Sequence, residues 1–521
     1  MLVKFIIELM NQIKEKKIIN LFCYLLLIII IILICFFQLF PHYYAWKNTP
    51  QESFFSGQAS WFDPWDINVY VAPIRWGQQG HFLLKNFYTT VDHSPALFYP
   101  LYTLAGNLMP SLNSFFIFYF LSFIFGSVLS LTIFLISKYF LKSNFFALLA
   151  LFLISFGGGI GWFLDGYFKS ADLYITAFTF NSAFQRGHEA IGVTLYLSAL
   201  TTLYLFIKKA KIKYNYYSLF SLLFLVIFYP YYLLSFALIG IIFLLWVKKY
   251  KNKKIVLSFL FNIGLITILT LIYYFHLKST GFASVASQKL ENLNLIAIFT
   301  GYGVFLPLFI YSYLKIKNHD QEKFFLLTWF VVSVCLSFLP LGIARFYFRS
   351  LFFPLILTSL IFFKQLSQKY FRLSLMIIII LVLVAPLSNF YIFSRRIESI
   401  YENNAWFYQS SAVEEGFDYL KNQSKDGVLA SYVIANSIPA QTGKSVYFGH
   451  MIQTPMSGDK REKIGKFYAN DLNEQQALEF LKVNKINYVF YSAEEQKLGE
   501  PKYSFLEETY SEGSVKIFTY D

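Results

Sequence analysis

For most of its length the chain alternates long apolar runs with short polar breaks, and near its end it changes character. Runs that read as membrane crossings occupy Ile18–Phe40, Ser114–Phe140, Phe145–Trp162, His188–Ile207, Ile255–Phe275, Leu295–Leu314, Phe324–Leu339, Leu351–Phe363 and Leu373–Phe393. The run Tyr217–Val247 lies between KKAKIK and KKYKNKK. Its roughly thirty residues give about 45 Å of helix, against the roughly 60 Å that two full crossings need. Basic clusters at both ends nonetheless place both ends on one side, so two short helices broken near Pro230 are expected. A single crossing would invert everything downstream. The total is about eleven crossings. Lys4, Lys14, Lys16 and Lys17 put the N-terminus inside, which leaves the C-terminus outside. The first run is too long for a cleaved signal core and reads as a retained anchor.

From about Glu398 the pattern switches to that of a water-soluble unit. GVLASYVIA, KSVYFG, INYVFYS and SVKIFTY read as strands, and SAVEEGFDYLKN and NEQQALEFLKVN as helices. The division expected is therefore an α-helical polytopic membrane part, residues 1–397, and a small extracytoplasmic α/β domain, residues 398–521.

Composition sharpens this picture. The chain is 56% hydrophobic and only 14% charged, where soluble domains carry about a quarter charged residues. The net charge of +14 does not point to nucleic acid, because the lysines cluster at the ends of apolar runs. Cys23, Cys35 and Cys335 lie inside apolar runs and fit neither a disulfide nor a metal spacing.

The stretch between the first two crossings, 41–113, is too long for a plain connection. It contains WFDPWDINVYVAPIRWGQQG, with Asp63 and Asp66, in a protein with few acids near the membrane. Asp and Glu barely influence insertion, so their concentration in the outer loops calls for chemistry. If the stretch opens a helix, Asp66 and Tyr70 lie one turn apart on one face. Asp66, walled by tryptophans, suits either a general base or a helix cap. Asp63, just before Pro64, suits a turn, a cap or a ligand.

Other charged groups fall at crossing ends. Arg186, His188 and Glu189 open a crossing, where they fit phosphate binding, a divalent cation or a solvated helix start. Arg345 and Arg349, four apart, would stack on one helical face and suit either a lipid-linked phosphate or snorkelling to headgroups. Lys85, with His81, fits a phosphate contact or a solvated surface. His93 and His450 read as structural. Asp63, Asp66, His188 and Glu189 have ligand types suited to a divalent metal, though no spacing signature accompanies them.

On Asp66–Tyr70 followed by SPALFYPLY, with the many crossings, the large first outer loop and the outer tail, the chain resembles the GT-C glycosyltransferases. Within them it resembles the group of the protein O-mannosyltransferases and lipid A aminoarabinose transferases. The resemblance implies that Asp66 matches the catalytic aspartate. It also implies that Arg345 and Arg349 take the place of residues binding the carrier phosphate; Arg186, Tyr70 and Lys85 are further candidates for substrate or phosphate binding. Two departures stand out. Ile67 occupies a position where relatives often carry Glu, and the Asp-x-Asp pair of oligosaccharyltransferases is absent from the second outer loop, where Asp165 and Asp172 are too far apart.

The implied activity is inverting sugar transfer from a polyprenyl-phosphate donor to a lipid, glycan or protein acceptor, outside the plasma (inner) membrane. No cofactor is certain, and a divalent metal is the one candidate. A flippase of lipid-linked sugars would need charges within the bilayer and repeated halves, neither of which is evident. A non-catalytic scaffold is the third reading.

Overall fold

The computed structural model describes residues 16–290, 293–317, 319–340, 342–402 and 404–521; of residues 16–20 it describes the backbone alone. Lys4 and Lys14 lie outside this range. Among the described residues, seven helices are long and apolar enough to cross a membrane: Leu21–Lys47, Ser114–Leu141, Asn144–Leu164, Gly187–Lys209, Lys253–Lys278, Ala344–Lys369 and Phe371–Tyr401. Leu295–Tyr302 and Phe305–Lys315 would add an eighth, bent by 72° at its break. Seven or eight helices are thus long and apolar enough to span on their own, and shorter apolar helices lie between them. Exposed side chains such as Leu25, Phe261, Leu271 and Leu383 are ones that lipid would cover.

The awkward run divides as expected, into Ile212–Phe228 and Tyr232–Trp246. The contacts of Gly187–Lys209 give their directions. A Cβ on Gly192 would overlap the Tyr229 ring, so the first short helix runs back toward the Gly187 end. Tyr196 stacks on Tyr232 and Tyr204 packs against Phe243, so the second runs the other way. The pair is a hairpin whose tip, Tyr229-Pro230-Tyr231, lies beside His188, 6.3 Å from Tyr229 between ring centres. Pro230 has no N–H to extend the helix, and it marks the turn.

The bundle has two unlike ends. Phe140 packs on Tyr204, Lys208 pairs with Glu322 at 2.6 Å, Lys364 donates to the Leu141 carbonyl, and Trp246 stacks on Phe324. That end collects lysines. The opposite end collects Asp63, Asp66, Asp172 and Glu189 with Arg186 and Arg349. There the glycine-rich stretch FGGGIGW, residues 156–162, is firmly packed. Gly159 N–H donates to Asp172 Oδ2 at 2.7 Å, and any Cβ on Gly159 would overlap the Thr300 carbonyl.

The C-terminal residues form a four-stranded sheet of β3 (Val428–Leu429), β4 (Tyr488–Tyr491), β6 (Val515–Thr519) and β5 (Glu507–Glu512), in that order. β3 and β4 are parallel and the other pairs antiparallel. Only the start of GVLASYVIA is strand. From Tyr432 the chain turns into the helix Tyr432–Thr442. A separate pair, β1 (Ser53–Phe55) with β2 (Tyr408–Ser410), ties the first loop to the segment after the last span. One apolar core runs through Ile67, Val71 and Ile74 of the loop and Ile434, Ile438 and Phe490 of the tail. The loop and the tail are therefore a single packed layer over the acidic end.

Candidate active site

Asp63 occupies the cap position of helix Pro64–Gln78 in the left-handed conformation, with φ 44°. Its carboxylate makes no capping bond and accepts from Thr176 instead. Pro64 supplies the fixed φ that suits a first helical position. Asp66 follows in the first turn, where a carboxylate complements the helix dipole. One turn later Tyr70 O–H donates to Asp66 Oδ2 at 3.3 Å, the pairing its spacing predicts.

Two further elements converge on Asp66. Arg186 Nη1 reaches Oδ2 at 2.9 Å from the start of helix Gly187–Lys209, and His450 Nε2 reaches Oδ1 at 2.9 Å from the tail. The N–H groups of Ile452 and Gln453 donate to His450 Nδ1. The ring proton is therefore on Nε2, facing Asp66.

From Arg186 the ion pairs continue. Glu189 Oε1 accepts from Arg186 Nη1 at 3.3 Å and from Arg349 Nη2 at 3.1 Å. The result is a chain, Arg349–Glu189–Arg186–Asp66–His450, in which every member is buried or nearly so. Arg186 and Arg349 are 2% and 1% exposed, so snorkelling to headgroups and a solvated helix start are both excluded. Arg349 Nε and Nη1, Arg186 Nε and Glu189 Oε2 have no hydrogen-bond partner among the described residues. Buried groups of this kind are costly, and four such atoms lie within this one cluster.

The carboxylates differ in basicity. Burial, the largest single influence, pushes the Asp66 carboxyl up, but Arg186, His450 and Tyr70 together outweigh it and lower it to about 2. For Asp63, burial and the neighbouring Asp66 charge raise it against the pull of Arg186 and Thr176.

Several expectations need correction. Arg345 and Arg349 do not stack on one α-helical face, because Ala344–Ser350 is a 3₁₀ helix with about three residues per turn. Arg349 joins the ion-pair chain, while Arg345 is half-buried against Phe346, its charge reaching Asp63. Lys85 is not near the chain of charges. It pairs with Asp426 at 2.9 Å and covers Trp76 and Phe87, joining loop to tail. His81 stacks on Trp76, and His93 accepts from the Asn86 N–H, both structural.

His450 is the member the sequence reading assigns to structure. The one signal for it is GHMIQTPMSGDK as a loop able to reach the membrane part. Gly449 lets that loop come close, since a Cβ there would meet Tyr88 and the Ala435 carbonyl at 2.9 Å. Asn436 secures the approach by donating to both the Trp65 and Gly449 carbonyls, at 2.9 and 2.8 Å.

No family model matches the chain, and no curated protein matches it. Among solved structures it is similar to the oligosaccharyltransferase of Archaeoglobus fulgidus. The apo crystal structure aligns with a TM-score of 0.57 at 12% identity, over 89% of this chain and 69% of that one. A complex of the same enzyme with Zn and sulfate gives 0.53 at 12%, over 88% and 67%. The form tethered to an acceptor peptide gives 0.51 at 13%, over 92% and 70%. The likeness establishes a shared fold, in agreement with the GT-C resemblance; it does not single out the O-mannosyltransferase group.

The metal donor set does not fit this site. His188 Nδ1 is engaged by Tyr102 O–H at 2.8 Å, and the Arg186 guanidinium, already a cation, lies among Asp63, Asp66 and Glu189. Among the described residues no three His, Cys, Asp or Glu side chains converge as a metal site.

Proposed function

We propose that the protein is an inverting glycosyltransferase taking a sugar from a polyprenyl-phosphate donor to an extracytoplasmic acceptor. The observation that carries this reading is the buried chain of charges ending in unpartnered guanidinium nitrogens at Arg349. A lipid phosphate suits those nitrogens, since a guanidinium binds phosphate in a two-pronged way. Arg345 lies on the same short helix to add charge. The lysine-rich end then faces the cytoplasm by the positive-inside rule, and the site faces outward across about eleven crossings of residues 1–397. Residues 398–521 form the extracytoplasmic domain that supplies His450. The setting is the plasma (inner) membrane.

In the reaction, an acceptor oxygen or nitrogen attacks the anomeric carbon, the bond from that carbon to the phosphate oxygen breaks, and the acceptor proton passes to Asp66. The negative charge developing on the departing lipid phosphate is met by Arg349 and Arg345. A carboxylate held at about 2 is a poor base while Arg186 grips it. Donor phosphate arriving beside Arg186 competes with Asp66 for that guanidinium, and Asp66 gains basicity when the leaving group is in place. No step passes through a metal.

The fold shared with an oligosaccharyltransferase supports the class of chemistry and leaves the acceptor open among lipid, glycan and protein. The test is transfer from a labelled polyprenyl-phosphate sugar by the wild type and Asp66→Asn in a membrane preparation. Loss of transfer is expected. Unchanged transfer removes Asp66 from the mechanism, and translocation of the lipid-linked sugar without any transfer would favour the flippase.

A further inference from the structure

The lysine-rich end of the bundle holds a feature that sugar transfer at the far end does not use. A cavity of about 360 Å³ opens there between the end of helix Ser114–Leu141, the turn after Phe305–Lys315 and the last turns of Phe352–Lys369. Three lysines from the three elements, Lys142, Lys317 and Lys364, line it with His319, Gln365 and Gln368. No Asp or Glu lines it among the described residues. Of the nearest acids along the chain, Glu322 pairs with Lys208, and Asp320 is exposed and does not line the cavity.

The local structure holds these cations together. Lys142 is in the left-handed conformation, φ 50°, which ends its helix at the cavity. Gln365 accepts from the Lys317 N–H at 3.1 Å and donates to the Lys317 carbonyl at 2.6 Å, fixing that turn against the helix. Lys364 Nζ spends one of its three donors on the Leu141 carbonyl, 2.7 Å away. Like charges confined around one polar hollow repel, and only an anion placed in it reverses the sign.

We infer that this cavity is a phosphate site, for the headgroup of an anionic phospholipid or for a soluble phosphate monoester. Phe140, Leu141 and Ile361 give it an apolar floor, which an acyl-bearing ligand would use. Basic pockets between membrane helices bind lipid headgroups in this way.

The experiment uses the purified full chain and counts retained ligand by native mass spectrometry, with phosphatidylglycerol, phosphatidylcholine and glycerol 1-phosphate as probes. Wild type should retain phosphatidylglycerol in preference to phosphatidylcholine. The triple variant K142Q/K317Q/K364Q should bind it about tenfold or more weakly, while the control K248Q/K249Q/K251Q, at the same end of the bundle, should stay within about twofold. Displacement of the lipid by glycerol 1-phosphate would assign the site to a soluble ester, and persistence of the lipid would assign it to the headgroup. Equal loss in both triple variants, or no preference over phosphatidylcholine, overturns the proposal. If the triple variant fails to fold, K142Q/K317Q, which alters two exposed side chains, gives the same discrimination.

Discussion

Replacing Arg186 by Met removes the one strong opposing charge on a buried carboxyl. In the intact protein Asp66 is lowered from its ordinary 3.8 to about 2, which corresponds to about 2.4 kcal/mol favouring the ionised form. Because the folded value is depressed, that stabilisation is fully present above pH 3.8 and disappears as the pH falls through about 2. Burial is the largest influence on this group and acts upward; Arg186 is the next, and acts downward. An opposite charge at such range is worth about 1–3 pH units, so in Arg186→Met the group should titrate at about 3–5. At pH 5 the wild type holds about one protonated Asp66 in a thousand, whereas the variant should hold about ten to five hundred times as many. Infrared difference spectra of the carboxyl band report this without any substrate, with Asp66→Asn identifying the band. The same shift should give the variant an acid limb in its transfer rate that the wild type lacks above pH 4. A variant whose Asp66 still titrates near 2 would refute the account of how Arg186 governs the site.

Three further outcomes follow from the same geometry. His450→Ala removes a donor to Asp66 Oδ1, so the Asp66 carboxyl band should appear at higher pH than in wild type, but by less than in Arg186→Met; an unmoved band would make His450 a bystander. Glu189→Leu leaves Arg186 and Arg349 buried without the carboxylate they share, and should cost about 3–5 kcal/mol, read as a lower unfolding midpoint in detergent. An unchanged midpoint would mean that water reaches the two arginines. In Gly77→Ala the new Cβ meets the Thr103 carbonyl where helices Pro64–Gln78 and Pro100–Leu108 cross, and should cost about 1–3 kcal/mol; Gly465→Ala, with nothing near its Cβ, is the control, and equal midpoints would contradict the close crossing.

Much of this protein can be read before any coordinates. Hydrophobic runs locate the spans because lipid demands them, and lysines mark one end for the same reason. Pro230 between two basic clusters is enough to place a hairpin. The Asp66–Tyr70 contact is local, four residues along a helix, and follows from helical spacing. Other features depend on contacts distant in sequence, which leave little local trace. Glu189 and Arg349 are 160 positions apart in a chain that gives no reason to pair them, and Lys85 meets Asp426 only because the tail folds onto the first loop. The 3₁₀ geometry of Ala344–Ser350 is invisible to periodicity over so few residues, so the arginine pair reads as α-helical. β5, with the sequence EETYSE, escapes notice because an edge strand needs charges rather than an apolar face.

The carboxylate and the histidine that steadies it stand 384 positions apart along the chain. A ribosome delivers the first long before the second, with the spans inserted in between. Partly made or prematurely ended chains therefore hold an Asp66 without its His450 partner, and the full set of contacts forms late, when the tail docks. Closing so long a loop is slow, which makes docking of the tail a step that can be timed separately from insertion of the spans.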